Sequence, residues 1–263
     1  MNELEGKAAL ITGGTTGLGL AIAQAYVREG ARVTITGRDE ELGARAETAL
    51  SGAGEARFVR ADAADAAQIE RSVNDAITRM GRLDVLVNNA GIGVEATGLD
   101  TPLPDFDRVM AVNVRGYFIY GQVCFPHLEA AGGCMIHIGS DAGILGEIDI
   151  AVYSVSKAAV HMLSNMFAIE GGRRGVRSNA IAPGDIAPGM RHMAAPGEEA
   201  GQEDPATWLL PPVGRIGQAA DVAEAAVYLA SERSSFVNGV VLAVDGGMSA
   251  GYRTAQPQSP TLD

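Results

Sequence analysis

Lys7 to Thr12 is a short apolar run that leads directly into Gly13, Gly14, Gly17 and Gly19, and then into a helical pattern through Leu18, Ile22, Tyr26 and Glu29. Strand, glycine turn and helix in that order constrain the fold more than any other stretch, because a strand that feeds a helix returns to the sheet as a parallel neighbour. The remainder repeats the alternation, with strands near 7–12, 32–36, 57–60, 84–88, 134–139, 177–182 and 240–244 and helices between them. The pattern predicts an α/β fold: a doubly wound parallel sheet of about seven strands with helices on both faces. No internal repeat or linker interrupts it. A chain of 263 residues, 47% hydrophobic, can fill the core of a single domain spanning 1–263.

The turn itself reads Thr12-Gly13-x-x-x-Gly17-x-Gly19, one residue wider than the usual Gly-x-Gly-x-x-Gly phosphate-binding spacing. Glycine permits positive φ and close backbone approach, and the free N–H groups at the helix start attract a pyrophosphate. An ordinary glycine-rich turn shares these traits, so a second feature has to separate the two readings. Lys157 supplies it. It is one of two lysines in a chain with eighteen arginines, and Tyr153 stands four residues before it. Lysine is a compact point charge that the planar arginine fork cannot replace. The stretch 152–170 reads as a helix, with Val155, Ala159, Met162, Met166 and Ile169 at helical intervals, so Tyr153 and Lys157 share a face. A free tyrosine titrates near about 10, and a neighbouring ammonium is expected to lower it towards the range of a general acid/base.

These segments together resemble the short-chain dehydrogenase/reductase family over about Leu4 to Tyr252. Thr12-Gly13-Gly14-Thr15-Thr16-Gly17-Leu18-Gly19 is similar to the family's cofactor turn, Asn88-Asn89-Ala90-Gly91 to its second signature and Tyr153-Ser154-Val155-Ser156-Lys157 to its catalytic helix. Asn113 and Ser140 fall at the spacings of the family's catalytic tetrad. Asn179 to Gly184 and Asp245-Gly246-Gly247 resemble two further conserved-type segments of the fold. The resemblance implies a Rossmann-type sheet and hydride transfer between a nicotinamide cofactor and a secondary alcohol or ketone. It implies Tyr153 as proton donor and acceptor, with Lys157 tuning it and holding the nicotinamide ribose. Ser140 would bind the substrate oxygen, and Asn113 would join a water-linked proton path to Lys157. The cofactor would lie against Gly13, Thr15, Gly17, Leu18 and Gly19, then Asn89, Ala90 and Gly91 by the adenosine ribose, Asp62 and Ala63 by the adenine, and Pro183, Gly184 and Ile186. For Asp62 a plain turn role competes. Pro188 stands where relatives often carry a threonine that binds the carboxamide.

Cofactor choice turns on Gly37 and Arg38. An acidic residue near 37 would favour NAD, whereas Arg38 after a glycine suits a 2′-phosphate, so NADP is expected, with NAD as the alternative. Asp39 beside Arg38 argues the other way. Expected pocket walls are Ile92, Val94, Leu145 and Glu147, with Met190, Met193 and Trp208 from a lid at about 185–212. Such walls fit an apolar or cyclic skeleton, with Glu147 as a hydroxyl acceptor. A 3-oxoacyl carrier-protein reductase is the alternative, poorly matched to a net charge of −12 except at Arg173, Arg174 and Arg177. A dinucleotide-binding sensor without chemistry would lack the four catalytic residue types, all of which are present.

Net charge disfavours nucleic acid and anionic membrane as partners, and no run is apolar and long enough to span a bilayer. Cys124 and Cys134 make no disulfide framework, and His127, His137, His161 and His192 lack metal-ligand spacing, so no metal is expected. The expected setting is cytoplasmic. Two apolar helices, 105–128 and 152–170, and a tail at about 251–263 suggest a homotetramer or homodimer. On the first helix Met110, Val114, Tyr117, Phe118, Tyr120 and Val123 offer the surplus apolar surface.

Overall fold

A computed structural model describes residues 2–187 and 210–251. Strands β1 (Ala8–Ile11), β2 (Arg32–Gly37), β3 (Ala56–Arg60), β4 (Val85–Asn88), β5 (Cys134–Ile138), β6 (Arg177–Pro183) and, near the C-terminus, β9 (Val241–Val244) form one sheet. Its order is β3-β2-β1-β4-β5-β6-β9, and every pairing is parallel. All seven strands fall where the sequence places them, within a residue or two. A two-residue pair, β7 (Ile186–Ala187) with β8 (Gly217–Gln218), is an addition the sequence did not announce.

The period of two along β1 divides the core. Ala9 and Ile11 pack on one face with α1 (Gly17–Arg28), α2 (Glu40–Ser51) and α7 (Ala219–Ala230), while Ala8 and Leu10 face α3 (Ala66–Met80), α5 (Gly116–Ala131) and α6 (Ala151–Gly172). The order of strands reverses between β1 and β4, which opens a crevice beyond their carboxyl ends. Caps define the helices at that edge. Asp39 accepts from Leu42 N–H and starts α2, and Asp65 accepts from Ala67 and Gln68 and starts α3.

One expectation is corrected. The helix read as continuous over 105–128 is broken: α4 (Leu103–Met110) ends in a π-turn, Ala111–Arg115, before α5 begins. Asn113 lies within that turn, and its buried side-chain amide pairs with the backbone of Ile92. On α6 the apolar positions Val155, Met162, Met166 and Ile169 form an outward face. They are 54, 59, 43 and 72% exposed, whereas Val152, Tyr153, Ser156, Lys157, Val160 and Ser164 are buried. On α5, Tyr117 and Tyr120 are wholly internal and only Phe118 of the aromatic group is exposed.

Candidate active site

The glycine turn is held from behind by a side chain that sequence reading passed over. Thr12 Oγ1 accepts the backbone N–H of Asn89 at 2.9 Å and of Ala90 at 3.0 Å, and Asn89 Nδ2 returns bonds to the carbonyls of Thr12 and Gly13 at 2.9 and 3.0 Å. Asn89 thus braces the turn with its side chain and leaves the crevice to the backbone of Ala90 and Gly91. A Cβ on Gly19 would lie 2.3 Å from the Gly13 carbonyl oxygen, and one on Gly13 2.8 Å from Ala90 Cα. Gly17 differs: its φ is +53° and nothing lies within 4 Å of where a Cβ would stand. At that open position α1 begins with no side-chain cap from Thr16 and no acidic residue in its first turn. Unpaired N–H groups around an empty glycine face fit a dinucleotide phosphate.

At the end of β2, Gly37 packs on Thr15, since a Cβ there would lie 2.7 Å from Thr15 Cγ2. Asp39 is engaged in capping α2, so it does not pair with exposed Arg38. Arg60 is the register partner of Gly37 and donates its Nε to the Arg38 carbonyl at 3.2 Å, a second cation at this edge that motif reading missed. Cross-strand register would have revealed it. Asp62 Oδ1 accepts from Ala64 N–H at 2.9 Å, which is the turn role, and Ala63 packs its carbonyl against Gly116.

Ser140 follows β5 and starts a short 3-10 turn, Asp141–Gly143. Its hydroxyl meets Tyr153 from the inner face of α6. One helical turn on, Lys157 is 3% exposed, donates Nζ to the Ile138 carbonyl at 2.8 Å and lies 5.4 Å from the centre of the Tyr153 ring. Burial without a carboxylate partner pushes the Lys157 ammonium down to about 7. Burial pushes Tyr153 upwards, helped by the nearby charges of Asp141 and Glu147 and opposed by Ser140. The expected lowering of the tyrosine by lysine is therefore not what the packing gives; desolvation by burial is the larger effect.

Asn113 comes close to Lys157, since a Cβ built on Gly91 would stand 3.5 Å from both Asn113 Oδ1 and Lys157 Nζ. Its Oδ1 accepts from Ile92 N–H, and its Nδ2 donates to the Ile92 carbonyl and Ser156 Oγ, each at 2.9 Å. The amide fixes the loop after β4 against α6. That loop carries Val94, half-buried, and is tied to the segment bearing Leu145 and Glu147 by a bridge between Ala96 and Ile150. Leu145 is half exposed and Glu147 exposed. Pro183 and Gly184 end β6 against the Ser140 turn, since a Cβ on Gly184 would lie 3.2 Å from Asp141 Oδ2, and Ile186 begins β7. Pro188, Met190, Met193 and Trp208 lie outside the described residues. His161, a further turn along α6, is buried behind the serine turn with its Nε2 unpartnered. No metal-holding cluster occurs among the described residues. A cavity of about 580 Å³ opens at the opposite end of the sheet, but its Lys7 and Glu232 pair with each other and its Arg177 serves backbone carbonyls.

Comparison with known proteins identifies the family. A family profile described as Enoyl-(Acyl carrier protein) reductase matches residues 13–249. The chain is 38% identical to 2-(S)-hydroxypropyl-CoM dehydrogenase 3 of Xanthobacter autotrophicus over 95% of its length and 99% of the relative's. It is 34% identical to the NADP-dependent (R)-specific alcohol dehydrogenase of Lentilactobacillus kefiri, again over 95% and 99%. Levodione reductase superposes with a TM-score of 0.88 at 32% identity, covering 95% of this chain and all of that one. The chain belongs to the short-chain dehydrogenase/reductase family. It is an oxidoreductase that moves a hydride between a nicotinamide cofactor and a secondary alcohol or its ketone.

Proposed function

We propose that the enzyme interconverts a secondary alcohol and its ketone on an apolar or cyclic skeleton, using NADP in preference to NAD. The bound nicotinamide supplies or accepts the hydride at the substrate carbon. Every proton-handling group comes from the chain. In reduction Tyr153 gives its phenolic proton to the carbonyl oxygen as the carbon receives hydride, and in oxidation its phenolate takes the alcohol proton. Ser140 hydrogen-bonds the substrate oxygen and steadies negative charge on it. Lys157 holds the nicotinamide ribose and, when protonated, favours the phenolate; Asn113 acts at a distance by fixing the Ile92 loop. The observation that carries this reading is the convergence of Ser140, Tyr153 and Lys157 at the end of β5, all buried beside the crevice.

Arg38, free of its neighbouring aspartate, supports NADP, as does the relative whose name specifies that cofactor. The segment 185–212 would be the lid of a single-domain enzyme. The carrier-protein alternative loses its basic cluster, because Arg174 is bound by Glu129 through two bonds and Arg177 by backbone carbonyls. Buried free thiols at Cys124 and Cys134 suit the reducing cytoplasm. For the outward stripe of α6, with Phe118 beside it, the fitting occupant is a second copy of the chain, because a two-fold axis makes such a stripe its own complement. A homotetramer, or a homodimer, follows. Light scattering that gave an active monomer at micromolar concentration would refute the assembly. The reaction is tested by a panel of secondary alcohols and ketones with NAD(H) and NADP(H), followed at the nicotinamide absorbance; no turnover with either cofactor would remove the reading.

A further inference from the structure

We propose that Tyr117 is a positioning residue for Lys157: its buried ring forms the far side of the seat in which the ammonium lies, and keeps Lys157 charged beside Tyr153. The seat is defined by measured contacts. Lys157 Nζ stands 5.7 Å from the centre of the Tyr117 ring on α5 and 5.4 Å from that of Tyr153 on α6, so two aromatic rings flank it. It donates to the Ile138 carbonyl at 2.8 Å, and Tyr117 Oη donates to the same carbonyl at 3.4 Å. One oxygen at the end of β5 thus ties both side chains. Tyr117 is held elsewhere as well: Asn88 Nδ2 donates to its carbonyl at 3.3 Å, and its ring lies 6.2 Å from that of His137, which stacks on Phe167.

Such a seat suits an ammonium that has lost its water. Lys157 is 3% exposed and Tyr117 1%. Facing the lysine are Tyr153 and His161 from α6, Tyr117 from α5 and Asn113 from the π-turn, with His137 of β5 behind Tyr117; Asp141 and Glu147 act on Tyr153. Burial lowers both histidines, so at neutral pH they carry no charge. What favours the protonated lysine is then one carbonyl and two π-faces, and an aromatic face attracts a cation most strongly where water is excluded. The two rings differ in duty. Tyr153 gives and takes a proton during the reaction, whereas burial and then the charge of Tyr153 push the Tyr117 phenol up, so Tyr117 stays neutral throughout. A Lys157 that keeps its proton to higher pH continues to favour the Tyr153 phenolate, and Tyr117 thereby widens the pH range in which Tyr153 acts as a base.

The catalytic meaning of the seat rests on the roles proposed above for Tyr153 and Lys157, but its test reads the lysine without turnover. Lys7 and Lys157 are the chain's two lysines, so carbon-13 at lysine Cε gives two resonances. Lys7, paired with Glu232 at the far end of the sheet, is identified by its loss in Lys7→Arg and serves as the internal control. Tyr117→Phe keeps the ring, and mono-, di- and trifluorinated phenylalanine at position 117 then withdraw charge from the ring face at nearly constant shape. In the full chain without nucleotide, the Lys157 midpoint should fall with each fluorine, by about one pH unit in all between Tyr117→Phe and the trifluorinated ring, while Lys7 does not move. A midpoint unchanged across the series, or a fall that Lys7 shares, overturns the proposal. Should the trifluorinated chain not fold, the monofluorinated one decides alone: a fall of about a third as much is expected, and none overturns the proposal. Absence of turnover in the substrate panel with the graded fall intact would instead sink the enzymatic reading and leave the seat standing.

Discussion

The glycine turn after β1 and the Ser140–Tyr153–Lys157 centre after β5 lie at the same edge of one sheet, yet different forces fix them. The turn is settled by hard contacts: Gly13 and Gly19 admit no Cβ, and Thr12 and Asn89 satisfy each other's donors and acceptors. The catalytic centre is settled by electrostatic compromise. Lys157 is buried with one carbonyl partner, Tyr153 is forced towards its neutral form, and His161 Nε2 has no partner at all. A steric site tolerates almost no added atom but is indifferent to pH, whereas an electrostatic site accepts isosteres and responds to every proton. Substitution and titration should therefore separate the two regions.

The largest effect belongs to the electrostatic site. Tyr153→Phe keeps the shape and removes only the transferable proton, so turnover should fall by about 10² to 10⁴ while NADPH affinity, read by fluorescence titration, stays within about two-fold. Retention of more than about a tenth of the wild-type rate would exceed what loss of a general acid/base allows. Lys157→Arg should also fail despite its charge, because the planar fork cannot enter a site 3% exposed to reach the Ile138 carbonyl.

Next comes the steric site. Gly19→Ala sets a methyl group 2.3 Å from a backbone oxygen that cannot swing away, and should cost about 3 kcal/mol in chemical denaturation together with nucleotide binding. Gly17→Ala meets no atom and strains only its φ of +53°, at about 1 kcal/mol. If the two variants proved equally stable, close packing would not be what distinguishes the turn.

Titration gives the third separation. In the nucleotide-free chain Lys157 loses its proton near about 7, whereas in the unfolded chain it does so near 10.5. Between these values the unfolded state binds the extra proton, so this group's contribution to stability rises with pH from about 7 to 10. Above about 10 the raised Tyr153 reverses the trend, because only the unfolded tyrosine ionises. Lys157→Met should flatten the rise by roughly 4 kcal/mol in denaturation stabilities compared across pH. A variant with the same slope as the wild type would show that Lys157 is hydrated and fully charged in the native state.

What the sequence discloses follows the same division. Strand positions, the glycine turn and the Tyr153–Lys157 face are local patterns of period and spacing, and all appear in the fold where they were read. The π-turn at Asn113 was not legible, since it depends on Ile92 arriving from a different loop. Nor was the direction of the tyrosine shift, because desolvation is a property of the packed state. The apolar stripe of α6 stands outward, as its surplus apolar surface suggested, because the inner face of that helix is already filled by Val152, Tyr153, Ser156, Lys157, Val160 and Ser164. Arg60 and Tyr117 carry no motif and become visible only through strand register and the Lys157 contact.

The smallest predicted effect tests whether the adenosine end belongs with the steric or the electrostatic region. Arg38 is exposed and Arg60 lies on the adjacent strand end, so their charges act on a phosphate through solvent and should be worth only about tenfold in affinity. Arg38→Ala should weaken NADPH by roughly that factor and leave NADH nearly unchanged. Equal losses for both nucleotides would make Arg38 structural. The complementary change, Gly37→Asp, offers the ribose diol a carboxylate and should turn preference towards NADH, but here sterics intervenes. Its Cβ would stand 2.7 Å from Thr15 Cγ2, so the single substitution should weaken both cofactors. Adding Thr15→Ser removes the obstructing methyl group and should restore NADH binding while leaving NADPH impaired. If Gly37→Asp alone favours NADH as strongly as the double variant, Thr15 yields freely, and this edge of the crevice is governed by charge.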